Sequence, residues 1–158
     1  MSMQGRVLIV AGSDSGGGAG IQADIKTVTA LRGFAMTAVT ALTVQNSAVI
    51  EAVSDVLEER AGAMPVVVDP VMFAKGGHAL LEPEAMKALR ERLLPLASLV
   101  TPNIPEAEAL TGMTIKGVED MASVAAALAG MGATAVLLKG GHLTGDMLSD
   151  ILYVDGEI

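Results

Sequence analysis

The sequence predicts an α/β fold, a doubly wound and mostly parallel sheet flanked by helices, on three observations. Short apolar runs rich in Val, Leu, Ile and Ala recur along the chain, as strands buried within a sheet require. Stretches of helical periodicity separate them, giving a β-α alternation whose natural product is parallel strands joined by helical crossovers. Hydrophobic residues make up 51% of the chain and the mean hydropathy is +0.54, which calls for a packed interior. At 158 residues there is material for one core and too little for two domains.

The elements follow in order. "RVLIVAG" (6–12) is a continuous apolar strand, expected to be buried on both faces. "IQADIKTVTALRG" (21–33) sets Ile21, Ile25, Val28 and Leu31 on one helical face, with Gly33 where a C-cap belongs. "MTAVTALTVQ" (36–45) is the second strand, and "AVIEAVSDVLEER" (48–60) a helix capped by Asn46 or Ser47. "PVVVDPV" (65–71) is a third strand, and "EPEAMKALRERLLPL" (82–96) a helix opened by Pro83. A short strand at 98–103 precedes helices at 105–112 and 118–132, and "TAVLLKGG" (134–141) is another strand. The tail "DILYVDGEI" reads as a strand, an Asp-Gly hairpin turn and two residues of a returning strand. A hairpin left without its second strand leads us to expect a chain cut short after Ile158.

Composition narrows the function. A net charge of -8 disfavours a nucleic-acid surface, which needs clustered Lys and Arg. Cysteine is absent, which excludes disulfides and fits a cytoplasmic address. The uncharged windows 33–50 and 121–138 carry threonines, amides or glycines and read as strand joined to helix, so no membrane association is expected. With aromatics at 2%, a planar ligand would be held by polar edges and aliphatic walls instead of ring stacking.

The densest motif is "VAGSDSGGGAGIQADIKT" (10–27), a glycine-rich loop between strand and helix. It is not a P-loop, because no Gly-Lys-Ser/Thr follows. Gly18, Gly20 and Ala23 match the dinucleotide fingerprint, but that site wants an acid at the end of the second strand, where Gln45 and Asn46 stand. A third reading is a loop closing on a neutral, hydroxyl-bearing small molecule: Asp14 and Asp24 repel phosphate yet accept hydrogen bonds from amino or hydroxyl groups. Asp69, at the end of an apolar strand, would be costly to bury without a cation or donors. Asp69, Asn103 and Lys139 each fall at the carboxyl end of a strand, the ligand edge of such sheets. The alternatives are a helix cap for Asn103, a strand-end cap for Gln45 and an ordinary surface lysine for Lys139. Glu108 is expected to be solvated, and His78 and His142 do not read as a metal pair.

"AGSDSGGGAGIQADIKT", "TALTVQN", "VVVDPVM", "LLEPEAMKALRERLLPLA", "VTPNIPEAEALTG" and "AVLLKGGHL" together resemble, in order, the hydroxymethylpyrimidine/phosphomethylpyrimidine kinases of the ribokinase-like superfamily. The resemblance runs from about residue 6 to the end. It implies ATP-dependent phosphorylation of 4-amino-5-hydroxymethyl-2-methylpyrimidine and its monophosphate in thiamine diphosphate biosynthesis. By the same resemblance Gln45 and Asp24 read the pyrimidine, and Gly12, Ala19 and Val71 line its pocket. Lys139 and the flap residue Lys75, in "FAKGGH", face ATP. Asp69, Asn103 and Glu106 belong to the Mg2+ side, and a homodimer is expected. The family has a further segment after "VQN", where Asn46 here runs straight into Ser47. It also has a later Gly-Thr-Gly-Cys loop with the anion hole and presumed base, so no catalytic residue is assigned in this chain. The expected organisation is therefore a single, incomplete kinase domain over residues 1–158. The runners-up are a pyridoxal kinase of the same superfamily and a non-catalytic pyrimidine-binding module.

Overall fold

The computed structural model describes residues 5–12, 20–41, 47–62, 64–73, 81–141 and 148–158. Its strands are β1 (Arg6–Gly12), β2 (Phe34–Ala41), β3 (Val66–Val68), β4 (Leu99–Val100), β5 (Ala135–Leu138) and β6 (Ile151–Val154). They form one sheet in the order β2-β1-β3-β4-β5-β6; the first five run parallel and β6 pairs antiparallel with β5. The helices are α1 (Gly20–Ala30), α2 (Ser47–Arg60), α3 (Pro83–Ala88), α4 (Ile104–Thr111) and α5 (Val118–Ala129). None of the described helices is long and apolar enough to cross a membrane.

Successive strand residues point to opposite faces, and β1 shows the consequence. Ile9 and Val7 pack with Ile21 and Val28 of α1, whereas Leu8 packs against the main core. That core joins Val66, Val68, Val100, Val136 and Leu138 of the sheet to Ile50 and Leu57 of α2, Ala107 and Leu110 of α4, and Met121 and Leu128 of α5. The sheet is therefore wound on both faces, as expected. Val7 and Leu8 are nevertheless only half-buried, short of the full two-sided burial that the unbroken apolar run implied.

Three local outcomes differ from expectation. α1 ends with Arg32 in the left-handed conformation (φ 62°), and Gly33 lies one residue later. The Gly33 N–H donates to Val28 O (2.8 Å) and Arg32 N–H to Thr29 O (3.0 Å), a Schellman closure with arginine at the position glycine usually takes. Gly33 is required for a different reason: a Cβ there would press on Val28 Cγ1. On the face of α1, Ile21 is buried, but Ile25 and Leu31 are exposed. α1 packs on β1 and β2, and β2 is an edge strand of the described sheet.

The helix expected over 82–96 is continuous but not regular. After α3 it widens into a π turn over Leu89–Leu93 and tightens into a 3-10 turn over Leu94–Leu96. Pro95 has no N–H to give to the carbonyl four residues back, so the regular pattern cannot run through it. The hairpin at 154–157 forms as the Asp-Gly pair predicts. Asp155 (φ 52°) and Gly156 (φ 88°) take the two left-handed positions, and Val154 and Glu157 exchange both backbone hydrogen bonds at 2.9 Å.

Candidate active site

Parallel strands bring their carboxyl ends to one edge, and the residues just beyond β3, β4 and β5 meet there. Asp69 follows β3. Its Oδ1 accepts from Thr101 Oγ1, beyond β4, at 3.2 Å and from Lys139 Nζ, beyond β5, at 3.1 Å. The Asp69 side chain is 12% exposed and that of Lys139 40%, so the carboxylate sits in the wall while the ammonium still reaches solvent. Lys139 is held by its backbone as well: its N–H donates to Pro102 O at 2.9 Å, and it bridges to Asn103 in parallel fashion.

α4 begins at this edge with a complete capping box. Asn103 Oδ1 accepts from Glu106 N–H at 3.0 Å, and Glu106 Oε2 accepts from Asn103 N–H at 2.8 Å. Glu106 is only 3% exposed. Burial pushes its carboxyl up to about 7; the nearby Asp69 charge adds to this, and the Asn103 and Met72 backbone donors and Lys139 oppose it. Asp24, on α1, is half-buried and feels the same charges. Its carboxyl is raised first by burial and then by Asp69, with Lys139 acting against both. Asp24, Asp69, Glu106 and Lys139 thus form one electrostatic unit drawn from four separate parts of the sequence.

The remaining predicted residues divide into two groups. Val71 lies half-buried next to this edge, its N–H donating to Asp69 O at 3.0 Å. Gly12 closes β1 opposite Ala41, at an irregularity in the strand register. Ala19, Gln45, Lys75, His78 and His142 lie outside the described residues. Two expectations are revised. Glu108 is not simply solvated, since its Oε1 accepts from Ile115 N–H at 2.7 Å. Thr101 was not singled out from the sequence, although a hydroxyl just past a strand, in "VTPN", lies at the edge where ligands bind.

Hard oxygen donors are present: two carboxylates, an amide and a hydroxyl. Among the described residues no group of three His, Cys, Asp or Glu side chains comes together to hold a metal ion. Two carboxylates are compatible with magnesium, which keeps several of its own waters and takes few protein ligands.

The sequence profile of the family described as phosphomethylpyrimidine kinase matches residues 14–56 and 46–158. The chain belongs to this family. The hydroxymethylpyrimidine/phosphomethylpyrimidine kinase of Bacillus subtilis is 41% identical over 191 aligned positions, covering 97% of the chain and 70% of that protein. The thiamine biosynthesis bifunctional protein ThiED of Geobacter sulfurreducens is 45% identical over 187 positions, covering 95% of the chain and 38% of that protein. Both alignments are longer than the 158-residue chain, so these relatives carry residues with no counterpart here.

Among solved structures, the phosphomethylpyrimidine kinase of Clostridium difficile 630 superposes with a TM-score of 0.68 at 38% identity, covering 95% of this chain and 80% of that one. The Staphylococcus aureus pyridoxal kinase in complex with AMP-PCP and pyridoxal gives 0.77 at 29% identity, covering 95% and 68%. Of these two, the pyridoxal kinase has the higher backbone similarity and the pyrimidine kinase the higher sequence identity.

Proposed function

We propose that the chain is the catalytic fold of an ATP-dependent kinase for 4-amino-5-hydroxymethyl-2-methylpyrimidine and its monophosphate. The observation that carries this reading is the Asp69–Lys139 pair beside the capped N-terminus of α4, in a chain of this family. ATP and Mg2+, when bound, supply the phosphoryl group and charge neutralisation. The chain's own residues bind and orient. Lys139 and Lys75 meet phosphate charge. Asp69 and Glu106 would hold the metal. Asn103 would join them on the metal side and also holds Glu106, since its Oδ1 accepts from the Glu106 N–H. Asp24 and Gln45 bond the polar edge of the pyrimidine, with Gly12, Ala19 and Val71 as its walls.

Several observations support the finer points. The family match falls into two overlapping pieces that meet around residues 46–56, and the alignments outrun the chain. We infer from this that the extra residues of the relatives fall at the Asn46–Ser47 junction. A homodimer is supported by Leu31 and Phe34, large apolar side chains 68% and 52% exposed at adjoining ends of α1 and β2. The cytoplasm, which holds ATP, is the matching location.

The test is direct. The protein is incubated with ATP, Mg2+ and each precursor, and products are read by mass spectrometry. Phosphorylated pyrimidine supports the proposal. Faster phosphorylation of pyridoxal would move the chain to the runner-up kinase, and pyrimidine binding with no product at all would leave a binding module.

A further inference from the structure

Two peptide planes flank the Cα of Lys139, and both are tied. The N–H of Lys139 itself donates to Pro102 O at 2.9 Å. The next N–H, that of the buried Gly140, donates to Asp150 Oδ1 at 2.9 Å. The first bond belongs to the ordinary approach of the two strand ends; the second is made by a side chain from ten residues onward. Because β6 runs antiparallel to β5, with Ile151 opposite Leu138, the residue before β6 returns to the carboxyl edge where Lys139 stands. Gly140 permits this approach, since any Cβ there would overlap the carbonyl oxygen of Ser149.

With both planes fixed, the φ and ψ of Lys139 are fixed, and so is the direction in which its Cα–Cβ bond leaves the chain. That direction carries Nζ to Asp69. Without Asp150 the buried Gly140 N–H would lose its acceptor, and the second plane would be free to turn to find another. A carboxylate accepting from a backbone N–H is among the stronger anchors available.

We infer that Asp150 is a positioning residue for Lys139, setting where its ammonium meets the phosphates of the nucleotide. This rests on the reading of Lys139 given under Proposed function.

The test uses the 158-residue chain with MgADP as probe, affinity measured by calorimetry, folding checked by circular dichroism melts, and the reactivity of Lys139 followed by competitive acetylation. Asp150→Ala is expected to weaken MgADP binding about tenfold, the equivalent of one hydrogen bond of ordinary strength, and to change the acetylation rate of Lys139. Asp150→Asn retains an acceptor oxygen and is expected to restore both. In a Lys139→Met background, Asp150→Ala should add nothing, because the group it positions is gone. Equal loss in the Ala and Asn variants, or a full additional loss on top of Lys139→Met, would overturn the inference. Lys139→Met weakening MgADP while Asp150→Ala does not would overturn it and leave the reading of Lys139 standing. No effect of Lys139→Met would remove both.

Discussion

Lys139 Nζ and Asp69 Oδ1 lie 3.1 Å apart although 70 residues of sequence separate them. The pair joins the ends of β3 and β5 across the intervening β4, with Thr101 sharing the same carboxylate oxygen. With Lys139 40% exposed, the pair is worth at most about 1 kcal/mol to the fold. Its importance is that the cation is presented to whatever enters the edge.

Lys139→Met is therefore expected to change the unfolding free energy by less than about 1 kcal/mol while weakening nucleotide binding by about 1.5–3 kcal/mol, the range for a hydrogen bond to a charged group. Urea unfolding and calorimetry with ADP measure the two separately. A large stability loss with unchanged affinity would make Lys139 a structural residue.

Glu106 carries a pH signature. Its carboxyl sits near 7 in the folded chain against an ordinary 4.5, chiefly through burial. Between these values the folded chain holds a proton that the unfolded chain has released, so stability declines as pH rises through that window. By pH 8 the ionised carboxylate costs up to roughly 3 kcal/mol. Glu106→Gln keeps an oxygen for the Asn103 N–H and removes the titration. In metal-free buffer the variant should match the parent at pH 4.5 and exceed its stability at pH 8. Parallel stability profiles for variant and parent would show that Glu106 ionises without penalty.

The cap of α4 can be tested apart from charge. Asn103→Ala removes the acceptor for the Glu106 N–H and should cost about 1–2 kcal/mol, whereas Asn103→Ser should recover most of it. Thermal unfolding of the two variants decides the point; equal losses would mean that the cap hydrogen bond contributes little.

Arg32 occupies a backbone conformation that costs a non-glycine residue roughly 1 kcal/mol. Arg32→Gly should therefore stabilise the chain by up to about 1 kcal/mol, offset in part by the greater freedom of glycine in the unfolded state. A lower melting temperature would show that the arginine side chain makes a compensating contact.

Much of the local structure could be read directly from the residues. β1 runs over the 6–12 stretch expected of it, because an unbroken apolar run bounded by glycines has few other stable conformations. The Asn-x-x-Glu at 103–106 closes as a capping box and Asp155-Gly156 as a hairpin turn, since both depend only on neighbours within four residues. Placing Asp69, Asn103 and Lys139 at one edge was also legible, as a property of parallel strands. What the sequence could not show was who pairs with whom. The Thr101 bond to Asp69, the shared field of Asp24, Asp69 and Glu106, and the return of Asp150 to Gly140 all depend on the strand order β3-β4-β5-β6 and on the reversal of β6. Exposure was decided at the same level: Leu31 matches the apolar period of α1 yet stays in solvent, because α1 packs at the outer edge of the sheet. Hydrophobic period, caps and turns arise from contacts within a few residues and are written in the chain, whereas ion pairs, desolvation and burial arise between distant segments and exist only once the sheet has ordered its strands.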